Sequence, residues 1–193
     1  MLFNQQKTDS KSKQFLIVMT CIIVGVCGRV MPHFPNVTPM TSLSLFAGST
    51  LKRPLALVSM LVTFIISDVL LSFIYGYPLF SAWTLFVYSG FALITVCGKT
   101  LAKHFKWQLF PAFIGATSLL YWLWTNFGVW LTSGMYAKNL SGLFTCYAVA
   151  LPFLRNALIG DFIWSAVIFG SFALICYYKK NKREWRNWQT RWI

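Results

Sequence analysis

Acidic residues are almost missing from this chain: 4 Asp and Glu stand against 17 Lys and Arg in 193 residues, and charged residues together make up 11%. An ordinary soluble domain carries about 25% charge and about 45–50% apolar residues. Here 57% of residues are hydrophobic and 18% aromatic, which excludes a soluble globular domain and points to an integral membrane protein. The 5 cysteines (Cys21, Cys27, Cys97, Cys146, Cys176) are odd in number, lack any CxxC spacing and mostly sit in apolar segments, so no disulfide framework or zinc site is indicated. No glycine-rich phosphate loop with its Lys-Ser/Thr ending occurs, which excludes P-loop nucleotide hydrolysis. Low-complexity segments and internal repeats are lacking as well.

What the chain has is long apolar runs. A hydrocarbon layer about 30 Å thick needs about 20 helical residues to cross it. Five runs qualify: Phe15 to Met31, Leu55 to Tyr75, Leu79 to Cys97, Leu109 to Phe127, and Ala157 to Tyr178. The stretch Thr38 to Leu51, rich in small and hydroxyl residues, is a sixth and short span that needs shelter from its neighbours. The length of the first run and the lack of an A-x-A site argue against a cleaved signal peptide. The sequence therefore predicts an all-α, polytopic six-helix bundle: a tail at 1–14, a membrane domain at 15–178, and a basic, Trp-rich tail at 179–193.

The formal net charge of +13 would suggest nucleic acid on a soluble chain, but its distribution fits a membrane. Lys and Arg flanking spans stay on the cytoplasmic side. Fourteen of the 17 then fall on one side and only Arg29, Lys138 and Arg155 on the other. Both termini are expected inside. The short second span is needed for this agreement, since without it Lys52 and Arg53 would lie outside. In the tail, Trp185, Trp188 and Trp192 share one helical face, as in an interfacial helix.

Asp68 stands alone in the apolar run LVTFIISDVLLSFIY, about 10 Å below the outer end of its span at helical rise, in line with Phe64, Ser72 and Tyr75. Arg29, Arg155 and Asp161 are expected at similar depth. An isolated charge at the bilayer centre costs at least about 2.5–3.5 kcal/mol, so such groups turn inward and find partners. Arg155 and Asp161 lie six residues apart, about 600° around a helix, and cannot satisfy each other. The outer loops are also richly specified. Pro32, Pro35 and Pro39 stiffen the first and leave His33, Asn36 and Thr38 as polar tips. The last, from Asn126 to Asn156, is too apolar for a free aqueous loop and is expected to fold back as a lid. Asn126 and Asn156 offer amide groups, Trp130 and Tyr136 flat faces, and Trp83, Trp122, Ser118 and Thr125 candidate cavity walls. Aromatic walls with a few convergent polar groups describe a small-molecule pocket.

The strings GRVMPHFPNVTPMTSLSLFAGSTL, the SD of the third span, and NFGVWLTSGMY, GLFTCYAVALPFLRN and GD resemble an uncharacterised family of bacterial membrane proteins that looks like the substrate-binding S-components of energy-coupling-factor vitamin transporters. The resemblance covers roughly Arg29 to Asp161. It implies six helices around an outward-facing pocket for a small, vitamin-like nutrient. It also implies a partner membrane subunit with paired cytoplasmic ATPases. By that likeness Arg29, Asn36, Asp68, Asn126, Trp130, Tyr136, Arg155, Asn156 and Asp161 are pocket or lid residues. The coupling subunit of such transporters docks on a small-residue surface of the first span, for which Cys21, Gly25 and Gly28 are the candidates here.

Other classes find less in the chain. His33 and His104 fall on opposite sides, which leaves a rhomboid-like serine protease without its base. The usual tyrosine before one acid of an aspartyl intramembrane protease is missing at Asp68 and Asp161. The inner halves of the spans are too apolar for a channel. No enzyme and no cofactor is expected. A scaffold whose intramembrane charges only staple helices is the main alternative.

Overall fold

The computed structural model describes residues 2–178 except 104, 105 and 107, with side chains from residue 11 to residue 175. The Trp-rich tail and its expected interfacial helix lie outside the described residues. Six helices follow one another: α1 (Leu2–Val30), α2 (Met40–Thr50), α3 (Arg53–Tyr75), α4 (Thr84–Lys103), α5 (Phe110–Thr132) and α6 (Leu140–Tyr178). No strand occurs among the described residues. In α1, α3, α4 and α6 the length and apolar composition suffice to cross a membrane, as befits a membrane protein. The 23 residues of α5 have the length too, but its Trp, Tyr, Thr and Asn residues lower its hydropathy.

Local chemistry sets the helix ends. Proline opens α3 and α5 near the first helical position, where its missing N–H costs nothing. Gly76, at φ 70°, closes α3 and donates its N–H to the Ser72 carbonyl, a left-handed cap that favours glycine.

The helices alternate in direction. Arg29 of α1 meets Ser67 and Asp68 of α3, and Gly25 sits against Thr63 one turn below, so α1 and α3 run parallel. The chain must return between them, and α2 makes the return. At 11 residues it is only about 16 Å long, yet Met40 to Gly48 are all buried. Small residues make that position possible. A side chain on Gly48 would collide with the Thr95 carbonyl and Gly98 of α4, and one on Gly98 with the Leu45 carbonyl. Beside this contact Phe46, Phe110, Phe169 and Phe172 join by ring edges. Phe64, Phe91 and Tyr121 link α3, α4 and α5 above it.

The long outer loop expected between Asn126 and Asn156 is instead the end of α5, a short turn and the first half of α6. Asn139 caps α6, its Oδ1 accepting the Gly142 N–H at 2.8 Å. Helix continues through Pro152, as membrane helices tolerate. The α5–α6 pairing is uneven across it. Trp122 Nε1 donates to the Ala150 carbonyl, while Ser118 meets Asp161. Four residues of α5, about 6 Å, thus face eleven of α6, about 16 Å, so the two helices do not pair residue for residue across Pro152. Proline leaves the Ala148 carbonyl without its helical donor.

Candidate functional site

Arg29 lies in the last turn of α1, where the helix dipole favours a cation, and Asp68 lies two turns below the end of α3. Arg29 Nη1 is 2.5 Å from Asp68 Oδ1 and donates to Ser67 Oγ at 2.7 Å. The Tyr88 hydroxyl of α4 donates to the other carboxylate oxygen at 2.5 Å, within the range of charge-assisted bonds. The guanidinium stands 5.0 Å from the Phe64 ring centroid, close enough for a cation–π contact. Three helices are tied together at one point. With side chains 21% and 17% exposed, the pair is half-buried.

A cleft of about 240 Å³ opens beside the pair. Arg29, Asp68 and Tyr88 form its polar wall, and Tyr77, Leu79 and Trp83 from the α3–α4 connection and its edge face them. Among the described residues both polar contacts of the guanidinium use Nη1, which leaves Nε and Nη2 as donors for a guest.

Of the residues singled out from sequence, Arg29, Asp68 and the expected wall residue Trp83 meet here, and the others do not. Asn36 is exposed in the α1–α2 loop at φ 64°. Asn126 Nδ2 bonds to the Trp122 carbonyl of its own helix at 2.8 Å. Trp130 Nε1 bonds to the Ala137 carbonyl at 3.0 Å, and Lys138 lies 5.8 Å from its ring centroid while closing the end of α5 through the Trp130 and Ser133 carbonyls. Tyr136 and Asn156 are half-buried and Arg155 is exposed, all away from the cleft. Trp122 is buried in the α5–α6 interface rather than along a cavity. Asp161 is buried elsewhere, against Ser118. The four charges therefore do not converge. Because 140–178 form one helix, the spacing that a folded-back lid would have closed stays open. Tyr88 is the member that sequence missed; the need of an intramembrane acid for a second donor was its only signal.

The small residues of α1 are engaged inside the bundle. Cys21 is fully buried, Gly25 packs on Thr63, Leu43 and Met40, and Gly28 on Pro39.

A family model, described as a family of unknown function (DUF6580), matches residues 9–185. The chain belongs to that family. No curated protein and no solved structure matches it.

Proposed function

We propose that this membrane protein binds a small, ring-sized polar solute in the Arg29–Asp68–Tyr88 cleft and serves its uptake, as the substrate-binding subunit of an energy-coupling-factor-type transporter. The carrying observation is a cleft that opens directly onto a half-buried ion pair with unused guanidinium donors. At about 240 Å³ it falls just below the roughly 300–1,000 Å³ of drug-sized sites, which suits a single-ring guest stacked on Tyr77, Trp83 or Tyr88. Uptake rests on the resemblance to S-components. The orientation, with both termini cytoplasmic in a bacterial inner membrane, rests on the basic residues at the helix ends. A coupling subunit with its ATPases would dock on a surface other than the small-residue face of α1, which is already covered.

A second reading is favoured by one feature: both Asp68 oxygens already have partners, as in a helix staple. The two separate in a thermal-shift assay on purified protein with a fractionated bacterial small-molecule extract. A ligand at 100 times its Kd adds about 2.7 kcal/mol of stability. Solute binding predicts one fraction that raises the unfolding temperature of the wild type but not of Trp83→Ala, whose indole lines the cleft without touching the ion pair. Stapling predicts no active fraction.

A further inference from the structure

We infer that Asp161 is a reversibly occupied site for a small monovalent cation, a proton or a sodium ion, held between α2, α5 and α6 and separate from the Arg29–Asp68 cleft. Its surroundings are made of hydroxyls. Ser118 Oγ lies 2.5 Å from Asp161 Oδ2, and Thr41 is buried on the neighbouring α2. Ser42 Oγ donates to the Asp161 carbonyl at 3.1 Å and lies 2.9 Å from Ser165 Oγ. All five residues are buried, Asp161 at 3% exposure. Among the described residues no Lys or Arg pairs with this carboxylate, whereas Asp68 has Arg29. An acid buried in a membrane protein with no cationic side chain needs a mobile cation to be neutral.

The hydrogen-bond geometry accepts both states. Ser118 Oγ is also 3.0 Å from the Ile114 carbonyl, and a hydroxyl has one proton to give. With Asp161 protonated, the acid donates to Ser118, and Ser118 donates to Ile114. With Asp161 ionised, Ser118 turns its proton to the carboxylate, and the Ile114 carbonyl keeps its helical bond. Neither state strands a buried polar atom, so neither is locked. Ser42 and Ser165 can reverse their shared bond in the same way, and the oxygen-only donor set suits a hard cation. The charged and titratable neighbours are few. Tyr121 of α5 lies within electrostatic reach of Asp161, Asp68 and Arg29, α2 contributes none, and on α6 itself Arg155 is exposed. The α1–α2 loop, which approaches Gly160 through Val37, carries only the exposed His33.

Dicyclohexylcarbodiimide, which reacts with protonated carboxyl groups in apolar surroundings, tests this on the full chain in liposomes, with no solute added and peptide mass spectrometry as readout. Asp161 is expected to be labelled and Asp68, paired with Arg29, is not. The labelling rate should fall about tenfold per pH unit once the group ionises. For a sodium site, millimolar sodium but not choline also suppresses labelling at fixed pH; for a proton site both salts are without effect. Asp161→Asn keeps the shape of the side chain and should leave a folded, unlabelled protein. Absence of label on Asp161 from pH 5 to pH 9 without sodium would overturn the inference, as would labelling that is equal across that range. Ser118→Ala supplies a second check: it retains label but shifts the pH at which labelling falls, and an unshifted profile contradicts the exchange described. A silent cleft in the thermal-shift assay leaves these outcomes unchanged.

Discussion

Arg29 shows how one side chain can be both fastener and receptor. It neutralises Asp68, ties α1 to α3 through Ser67, and lines the cleft with Nε and Nη2 outside both of those contacts. Removing one partner of a buried pair leaves the other charge uncompensated, a loss of about 3–5 kcal/mol. Arg29→Ala should accordingly destabilise the bundle by at least 3 kcal/mol on that scale, with the half-burial of the pair placing the loss at the lower end. Tyr88→Phe, which removes one hydrogen bond to a charged group, should cost about 1.5–3 kcal/mol. Detergent-denaturation curves on the two variants and their double mutant check both, and strict additivity would mean that Tyr88 and Arg29 do not share Asp68. Asp68 as a paired intramembrane acid was legible from sequence because its isolation in an apolar run demands a partner. Tyr88 was not, since one tyrosine among 8 carries no mark of which carboxylate it will reach.

At the scale of elements, short α2 and overlong α6 are the informative pieces. The small residues of Thr38 to Leu51 foretold a sheltered helix, and Gly48 against Gly98 is the physical reason that shelter is found. Gly48→Ala should destabilise by about 1–3 kcal/mol through overpacking, because the atoms it meets are the Thr95 backbone and cannot swing aside. Gly134→Ala, with nothing within 4 Å, should change stability by less than about 0.5 kcal/mol. Equal effects in the same denaturation assay would contradict the α2–α4 packing. The first half of α6 was not legible. The apolar stretch from Asn126 to Asn156 read as a folded-back lid, whereas the Asn139 cap starts a helix of 39 residues that passes Pro152. Arg155, Asn156 and Asp161 all lie on this one helix, and none of them lines the cleft.

Across the whole molecule the helices alternate in direction. Arg29 beside Asp68 makes α1 and α3 parallel, so α2 must return the chain and the termini of the bundle share a side. In a cysteine-free background, Lys138→Cys should react with a membrane-impermeant maleimide in intact cells and Lys52→Cys should not. Reaction at both positions would contradict the proposed orientation. The cleft lies among α1, α3 and α4 and the buried Asp161 among α2, α5 and α6, with Tyr121 within electrostatic reach of Asp68, Arg29 and Asp161. The proposed solute and cation sites are thus separate.

Native mass spectrometry of the intact protein, released from detergent after gentle purification, tests the solute cleft most directly. Wild type and Arg155→Ala are predicted to carry the same small-molecule mass, and Trp83→Ala to lose it while remaining folded. A bare protein mass in the wild type, or an adduct that survives Trp83→Ala and disappears with Arg155→Ala, would contradict a binding site at Arg29, Asp68 and Tyr88.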